Sequence, residues 1–257
     1  MIWLVDYLSL SNDVRQEIFE LVESKMGSKF ESRKRETTSA PFQERLFGKG
    51  AYESFSRMQS MNTSLGMSVW EQMAEILCNS SGGYAVRQYH LDGSINPEIQ
   101  QFIDNYMAGL WNGSITPSKD YEISEIRKRA GQGSSGYNNT IVDLYCNING
   151  VEEYIDIKTA KPNKEGFQKY KEKLLYWTAL RLSTDEDANL ITRLGIPYNP
   201  YDPEPYNRWT LEDLYDVSGG EILVGEEFWN HIAQDNVFDD LLSIFEEVGK
   251  KFGNRFD

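Results

Sequence analysis

Cysteine and histidine are nearly missing from this sequence: Cys78, Cys146, His90 and His231 are the only ones in 257 residues. Two thiols and two well-separated imidazoles do not furnish a structural zinc site of four such ligands. Both cysteines sit in apolar patterns, so buried free thiols and a reducing, cytoplasmic setting are expected rather than a disulfide. Long apolar runs are missing as well. Residues 1–10 are apolar, but Asp6 interrupts them and they are too short to span a bilayer. They lack the basic start of a signal peptide, so no membrane association is expected. No internal repeat and no linker divides the chain, which reads as a single domain over residues 1–257.

An excess of basic charge is the third absence. Lys and Arg number 26 against 40 Asp and Glu, for a net charge of −14. At first sight this argues against a nucleic-acid partner. The charge is uneven, however. Tyr201 to Glu247 hold thirteen acids and one base, Arg208, and so carry −12 of the −14. The rest is close to neutral. It contains the basic runs Arg33-Lys34-Arg35 and Arg127-Lys128-Arg129, and lysines at 158, 161, 164, 169, 171 and 173. Local field decides association more than total charge does, and the acidic tail is expected to face away from a polyanion. Hydrophobic residues at 40% and charged residues at 26% suit a soluble globular protein.

What the sequence does have is a hairpin with an unusual set of polar residues. Residues 139–159 place β-branched and aromatic residues on both sides of Asn149-Gly150, the strongest two-residue turn signal. Alternation puts Ile155 and Ile157 on one face, and Tyr154, Asp156 and Lys158 on the other. Asp143 lies on the partner strand. A hairpin with a polar outer face accounts for these residues without chemistry. The same groups also meet the demands of phosphodiester hydrolysis. Hard oxygen ligands hold Mg²⁺ with only one or two protein carboxylates, the ion activates water and polarises phosphoryl oxygen, and a nearby lysine stabilises developing charge. The Asp/Glu-x-Lys triplet alone is common. A second copy, Glu23-Ser24-Lys25, sits on a helical pattern with no acidic strand before it and reads as a solvated helix face.

The order Asp143, a gap, then Asp156-Ile157-Lys158 resembles the active site of the PD-(D/E)XK nucleases, the fold of most type II restriction endonucleases; Val142 stands where a proline often precedes the first acid. The likeness runs from about Pro41 to the C-terminus. It includes Asp156 to Asn163, Ile196 to Tyr201, Arg208-Trp209-Thr210 and Glu227-Phe228-Trp229. Ser60 to Glu71, with Thr63-Ser64-Leu65-Gly66 before a helix, resembles restriction endonucleases that read GGNCC. The resemblance implies a mixed β-sheet flanked by helices, an α/β fold, with a helical N-terminal layer. It implies Mg²⁺ held by Asp143 and Asp156, Lys158 acting on the water, and Glu71 as an additional acid. Glu71 also reads as a surface glutamate on an amphipathic helix whose core stripe is Val69, Met73, Ile76 and Leu77. The resemblance further implies cleavage of double-stranded DNA at a short palindrome to 5′-phosphate and 3′-hydroxyl ends, a homodimer, and a cognate DNA methyltransferase in the same cell. A structure-specific repair or recombination nuclease and a non-catalytic nucleic-acid-binding module are the competing readings.

The remaining segments fill in this frame. Asn12 is expected to cap a helix with Val14, Ile18, Leu21 and Val22 on one face. Pro41 to Gly48 begins a second helical region. Asn96 caps another helix, with Pro97 at its first position. Residues 112–120 read as a turn-rich connector. Gly131 to Gly136 matches G-x-G-x-x-G, but a strand follows it rather than precedes it, so it reads as a flexible loop and not a dinucleotide fingerprint. A helix over about 166–182 buries Phe167, Tyr170, Leu174, Trp177 and Leu180, and its lysines are either solvated or turned to DNA. A third strand is expected over 189–198, a short one over 221–224, and closing helices from Glu226 and Val237. DNA contact is expected from Arg127, Lys128, Arg129, Lys161, Asn207 and Arg208. Arg208, almost alone among acids, is expected to read a base, with an internal salt bridge as its alternative.

Overall fold

A computed structural model describes residues 9–31, 41–131, 133, 135–158, 163–206 and 211–252. The chain forms two compact units, Ala74–Asp235 on the one hand and Met1–Met73 with Asn236–Asp257 on the other.

The second of these is helical. It contains α1 (Asn12–Glu31), α2 (Pro41–Phe47), α3 (Lys49–Ser64), a π-helical turn (Leu65–Val69), the start of α4 (Trp70–Ser80) and α10 (Phe238–Phe252). Helix α1 begins one residue earlier than its sequence cap suggests: Ser11, not Asn12, accepts from the Val14 amide, at 3.4 Å. Ile18 and Val22 are buried on α1, as are Ile244, Val248 and Phe252 on α10. Ion pairs between Arg15 and Glu247 at 2.5 Å and between Lys251 and Glu23 at 2.9 Å link these two helices. The Glu23-Ser24-Lys25 triplet therefore lies on a helix surface, as its pattern indicates.

The larger unit is built on a five-stranded mixed sheet in the order β1 (Tyr84–His90), β2 (Ile141–Ile148), β3 (Val151–Ile157), β4 (Leu190–Ile196), β5 (Ile222–Val224). The β1–β2 and β2–β3 pairs are antiparallel, and β3–β4 and β4–β5 are parallel. Parallel neighbours need a crossover, which α7 (Lys164–Thr184) supplies between β3 and β4. Tyr154 on β3 joins Leu174, Trp177 and Leu180 of α7 in the main core, with α5 (Pro97–Trp111) and α8 (Leu211–Leu214) contributing Ile103, Tyr106 and Leu211. The opposite sheet face meets α9 (Glu226–Ala233), whose His231 bonds Glu153 of β3 at 2.9 Å. Strand β1 and helix α6 (Lys119–Lys128) are additions to the elements read from the sequence, and α6 takes up the end of the expected connector.

Within the glycine-rich stretch, Gly133 and Ser135 are anchored. Ser135 forms a β-bridge with Ile95, and the Gly133 amide donates to Ser94 Oγ at 2.9 Å. A Cβ on Gly133 would lie 2.1 Å from the Ile95 carbonyl carbon, so only glycine permits this approach.

Candidate active site

The β2–β3 hairpin closes as its sequence requires. Asn149 and Gly150 both take positive φ, 54° and 81°, and Ile148 pairs with Val151, which defines a two-residue turn. Such a turn matches the right-handed twist of the flanking strands. The register carries Leu144 opposite Ile155, and one step further out Asp143 meets the end of β3. The Ile157 amide donates to Asp143 Oδ2 at 2.9 Å. Strand β4 fixes the next residue, since the Lys158 amide donates to the Gly195 carbonyl at 2.9 Å. These side chains therefore gather at the carboxyl end of β3, where open α/β sheets place their ligands.

Asp143, Asp156 and Lys158 converge. Lys158 Nζ lies 2.9 Å from Asp143 Oδ2 and 2.7 Å from Asp156 Oδ1. A fourth group completes the cluster: Lys173 of α7 also pairs with Asp156 Oδ1. The Lys173 ammonium stands 4.7 Å from the Trp177 ring centroid and 5.7 Å from that of Tyr170, and Lys158 Nζ stands 5.4 Å from Tyr170. The helical period contained this signal. Lys173 is three residues after Tyr170 and four before Trp177, so it shares their core-facing side. Lys171 likewise lies between Phe167 and Leu174. Both lysines are buried, which corrects the expectation of solvated or DNA-facing lysines at these two positions.

Burial pushes the Asp156 carboxyl above the usual aspartate range, against the opposing pull of Lys173 and Lys158, while Asp143 adds to the rise. Burial draws Lys173 down, and the Asp156 charge offsets this in part. Burial acts the same way on Lys158, but Asp156 and Asp143 outweigh it and hold its ammonium above the ordinary value. Lys158 and Lys173 both pair with the same oxygen of this carboxylate, Oδ1.

The other oxygen, Asp156 Oδ2, is buried and has no hydrogen-bond partner among the described residues. A buried carboxylate oxygen left unpaired is costly, and a hard cation is the natural partner for it. Asp143 supplies a second, part-exposed carboxylate. Two carboxylates suit Mg²⁺, which keeps several waters. No cluster of three or more Asp, Glu, His or Cys side chains suited to a metal occurs among the described residues. Glu71 lies in the first turn of α4, within the helical unit, where it is buried rather than on the surface.

Of the expected DNA-contacting residues, Arg127, Lys128 and Arg129 lie at the end of α6. Arg127 Nη2 donates to the Ala188 carbonyl at 2.7 Å. Lys128 and Arg129 both pair with Glu125, at 2.5 and 2.7 Å, and the Arg129 guanidinium lies 4.9 Å from the Phe102 ring centroid. Lys161, Asn207 and Arg208 lie outside the described residues.

Comparison with known proteins bears on the same stretch. A family model described as "Type II restriction endonuclease, HinfI" matches residues 10–249. The chain is 25% identical over 210 residues to the type II restriction enzyme MjaII of Methanocaldococcus jannaschii, an alignment covering 77% of this chain and 55% of that protein. It thus spans about half the length of that relative. It is also similar to two type II restriction enzymes of Herpetosiphon aurantiacus: HgiCII, at 25% over 197 residues, and HgiEI, at 24% over 203 residues. Each of those alignments covers 74% of this chain and 70% of the relative.

Proposed function

This chain belongs to the HinfI family of type II restriction endonucleases, and from that premise we propose that it cleaves double-stranded DNA at a short palindromic site in a Mg²⁺-dependent reaction. The observation that carries the reading is the convergence of Asp143, Asp156 and Lys158 around a carboxylate oxygen, Asp156 Oδ2, that is buried without a protein partner among the described residues. Asp143 and Asp156 would hold the cation. When bound, Mg²⁺ supplies charge neutralisation at the phosphate and makes bound water a better nucleophile. The chain's own residues do the rest. The Ile157 amide fixes the Asp143 carboxylate. Lys158 Nζ, with side-chain exposure of 23%, is the part-open donor that orients the attacking water and stabilises charge on the non-bridging oxygens. Attack at phosphorus with departure of the 3′-oxygen leaves 5′-phosphate and 3′-hydroxyl ends.

A GGNCC-type site is the first to test, from the resemblance of residues 60–71. A homodimer matches a palindrome, because one interface used twice presents identical readers to identical half-sites. Arg127, Lys128 and Arg129 are proposed to contact DNA, as are Lys161, Asn207 and Arg208, and Glu71 is proposed as an additional acid. A cytoplasmic location agrees with the free thiols of Cys78 and Cys146, and no described helix is long and apolar enough to cross a membrane. The whole chain is taken as one functional module, with a cognate methyltransferase protecting host DNA.

A plasmid digest with and without Mg²⁺ tests the reading. Discrete bands that need Mg²⁺ and vanish in Asp156→Ala are expected. A smear would favour a structure-specific nuclease, and no cutting by the folded protein would leave a non-catalytic binding module.

A further inference from the structure

The resemblance provides one lysine for the reaction centre, and the structure provides two. Lys173 comes from α7, not from the hairpin, and is only 7% exposed. Its ammonium and that of Lys158 are both on Oδ1 of Asp156. Lys158 divides its charge between Asp143 and Asp156, and Lys173 is the second cation that brings the set to neutrality before any metal arrives. Asp143, Asp156, Lys158 and Lys173 together sum to zero in a largely desolvated space. A divalent cation placed on this set leaves two positive charges without counter-ions, and unit charges a few ångströms apart interact strongly where water is excluded. A phosphodiester brings negative charge to the same place. Lys173 is less open to solvent than Lys158, with side-chain exposure of 9% against 23%, and Tyr170 and Trp177 lie beside its ammonium.

We propose that Lys173 is a positioning residue of the reaction centre, a built-in counter-ion on Asp156 that keeps the DNA-free protein weak in divalent-cation binding and so couples cation binding to the arrival of the phosphodiester. This rests on the metal-dependent reading above. Coupling is reciprocal, so the cation tightens DNA binding by the same factor as DNA tightens cation binding.

The test compares the intact wild-type protein with Lys173→Met and Lys173→Arg. Ca²⁺ binding is measured by calorimetry at pH 8, without DNA and with a duplex carrying GGACC, and thermal unfolding is followed in parallel. Lys173→Met keeps the bulk of the stem and removes the charge. It is expected to bind Ca²⁺ at least about tenfold more tightly than wild type without DNA, and its DNA-dependent tightening is expected to shrink. Lys173→Arg keeps the charge and should keep wild-type Ca²⁺ affinity. Unchanged or weaker Ca²⁺ binding by folded Lys173→Met overturns the proposal, and so does an Arg variant that shifts as the Met variant does. If Lys173→Met does not fold, the wild type still decides: a duplex that leaves its Ca²⁺ affinity unchanged overturns the coupling. Failure of the nuclease reading looks different. The wild type then cuts no DNA, while the DNA-free Ca²⁺ comparison still reads the Lys173 charge.

Discussion

At the scale of single residues, the two lysines that meet Asp156 differ in burial more than in chemistry. Lys158 is part-exposed and shared between two carboxylates, whereas Lys173 is enclosed by α7 and its aromatic neighbours. Their loss should therefore register differently. Replacing Lys158 leaves Asp156 paired with Lys173 and the part-exposed Asp143 held by the Ile157 amide, so neither carboxylate loses its last partner. Lys158→Ala is expected to slow single-turnover cleavage at least about 10²-fold, the scale for removing one group that stabilises developing charge, with little change in melting temperature. Cleavage near the wild-type rate would remove Lys158 from the reaction. The Asp-x-Lys spacing made Asp156 and Lys158 visible in the sequence. Lys173 was equally visible in the helical period shared with Tyr170 and Trp177, but a lysine on a core-facing stripe carries no meaning until a buried partner is known.

At the scale of elements, α6, α7 and the residue just before β5, Glu221, are joined by buried charge rather than by apolar contact alone. Lys119 of α6 pairs with Glu221 at 2.7 Å and with Glu122 at 3.2 Å. Lys171 of α7 pairs with Glu122 at 2.5 Å and with Glu221 at 2.7 Å. All four side chains are essentially without solvent contact. Two cations and two anions balance, and removing one leaves an uncompensated buried charge. Glu221→Gln is therefore expected to lower stability by about 3–5 kcal/mol in urea titrations at neutral pH. The network also fixes a pH dependence. Burial raises the Glu221 pKa, but Lys119 and Lys171 outweigh it, so the folded value lies below the ordinary 4.5. A carboxylate with a depressed folded pKa contributes its stability above the unfolded value and loses it as pH falls through the folded one. The gap between wild type and Glu221→Gln should thus be full above pH 4.5 and narrow below it; a gap independent of pH would sink this account. The hairpin is the opposite kind of element. Its turn follows from two adjacent residues, Asn149 and Gly150, that tolerate positive φ.

At the scale of the whole molecule, the prediction concerns assembly. A palindromic site has two identical halves, and a protein that reads both needs two-fold symmetry. Sedimentation should give twice the chain mass of 29.6 kDa, at the latest on a duplex carrying the site. A monomer both free and on DNA would count against the palindromic reading.

The sequence by itself determined the hairpin, its turn, and the positions of Asp143, Asp156 and Lys158, because all of these depend on neighbours within about 15 residues. It also determined α5 with its Asn96 cap, the strand β4, the short β5 and the closing helices, through period and turn residues, whereas the parallel direction of β4 came from the structure. It did not disclose β1, whose Tyr84 to His90 mixes polar and aromatic residues at a sheet edge with little apolar alternation. It did not disclose α6 either, where buried Lys119 and Glu122 interrupt the apolar stripe that marks a helix. Only the tertiary structure decided that Lys171 and Lys173 point inward. It also decided that Lys119 and Glu221, 102 residues apart, neutralise each other, and that Asp156 keeps one oxygen without a partner among the described residues. The physical reason is the same in each case: a charge can be buried only where its counter-ion is, and the counter-ion arrives from a distant part of the chain.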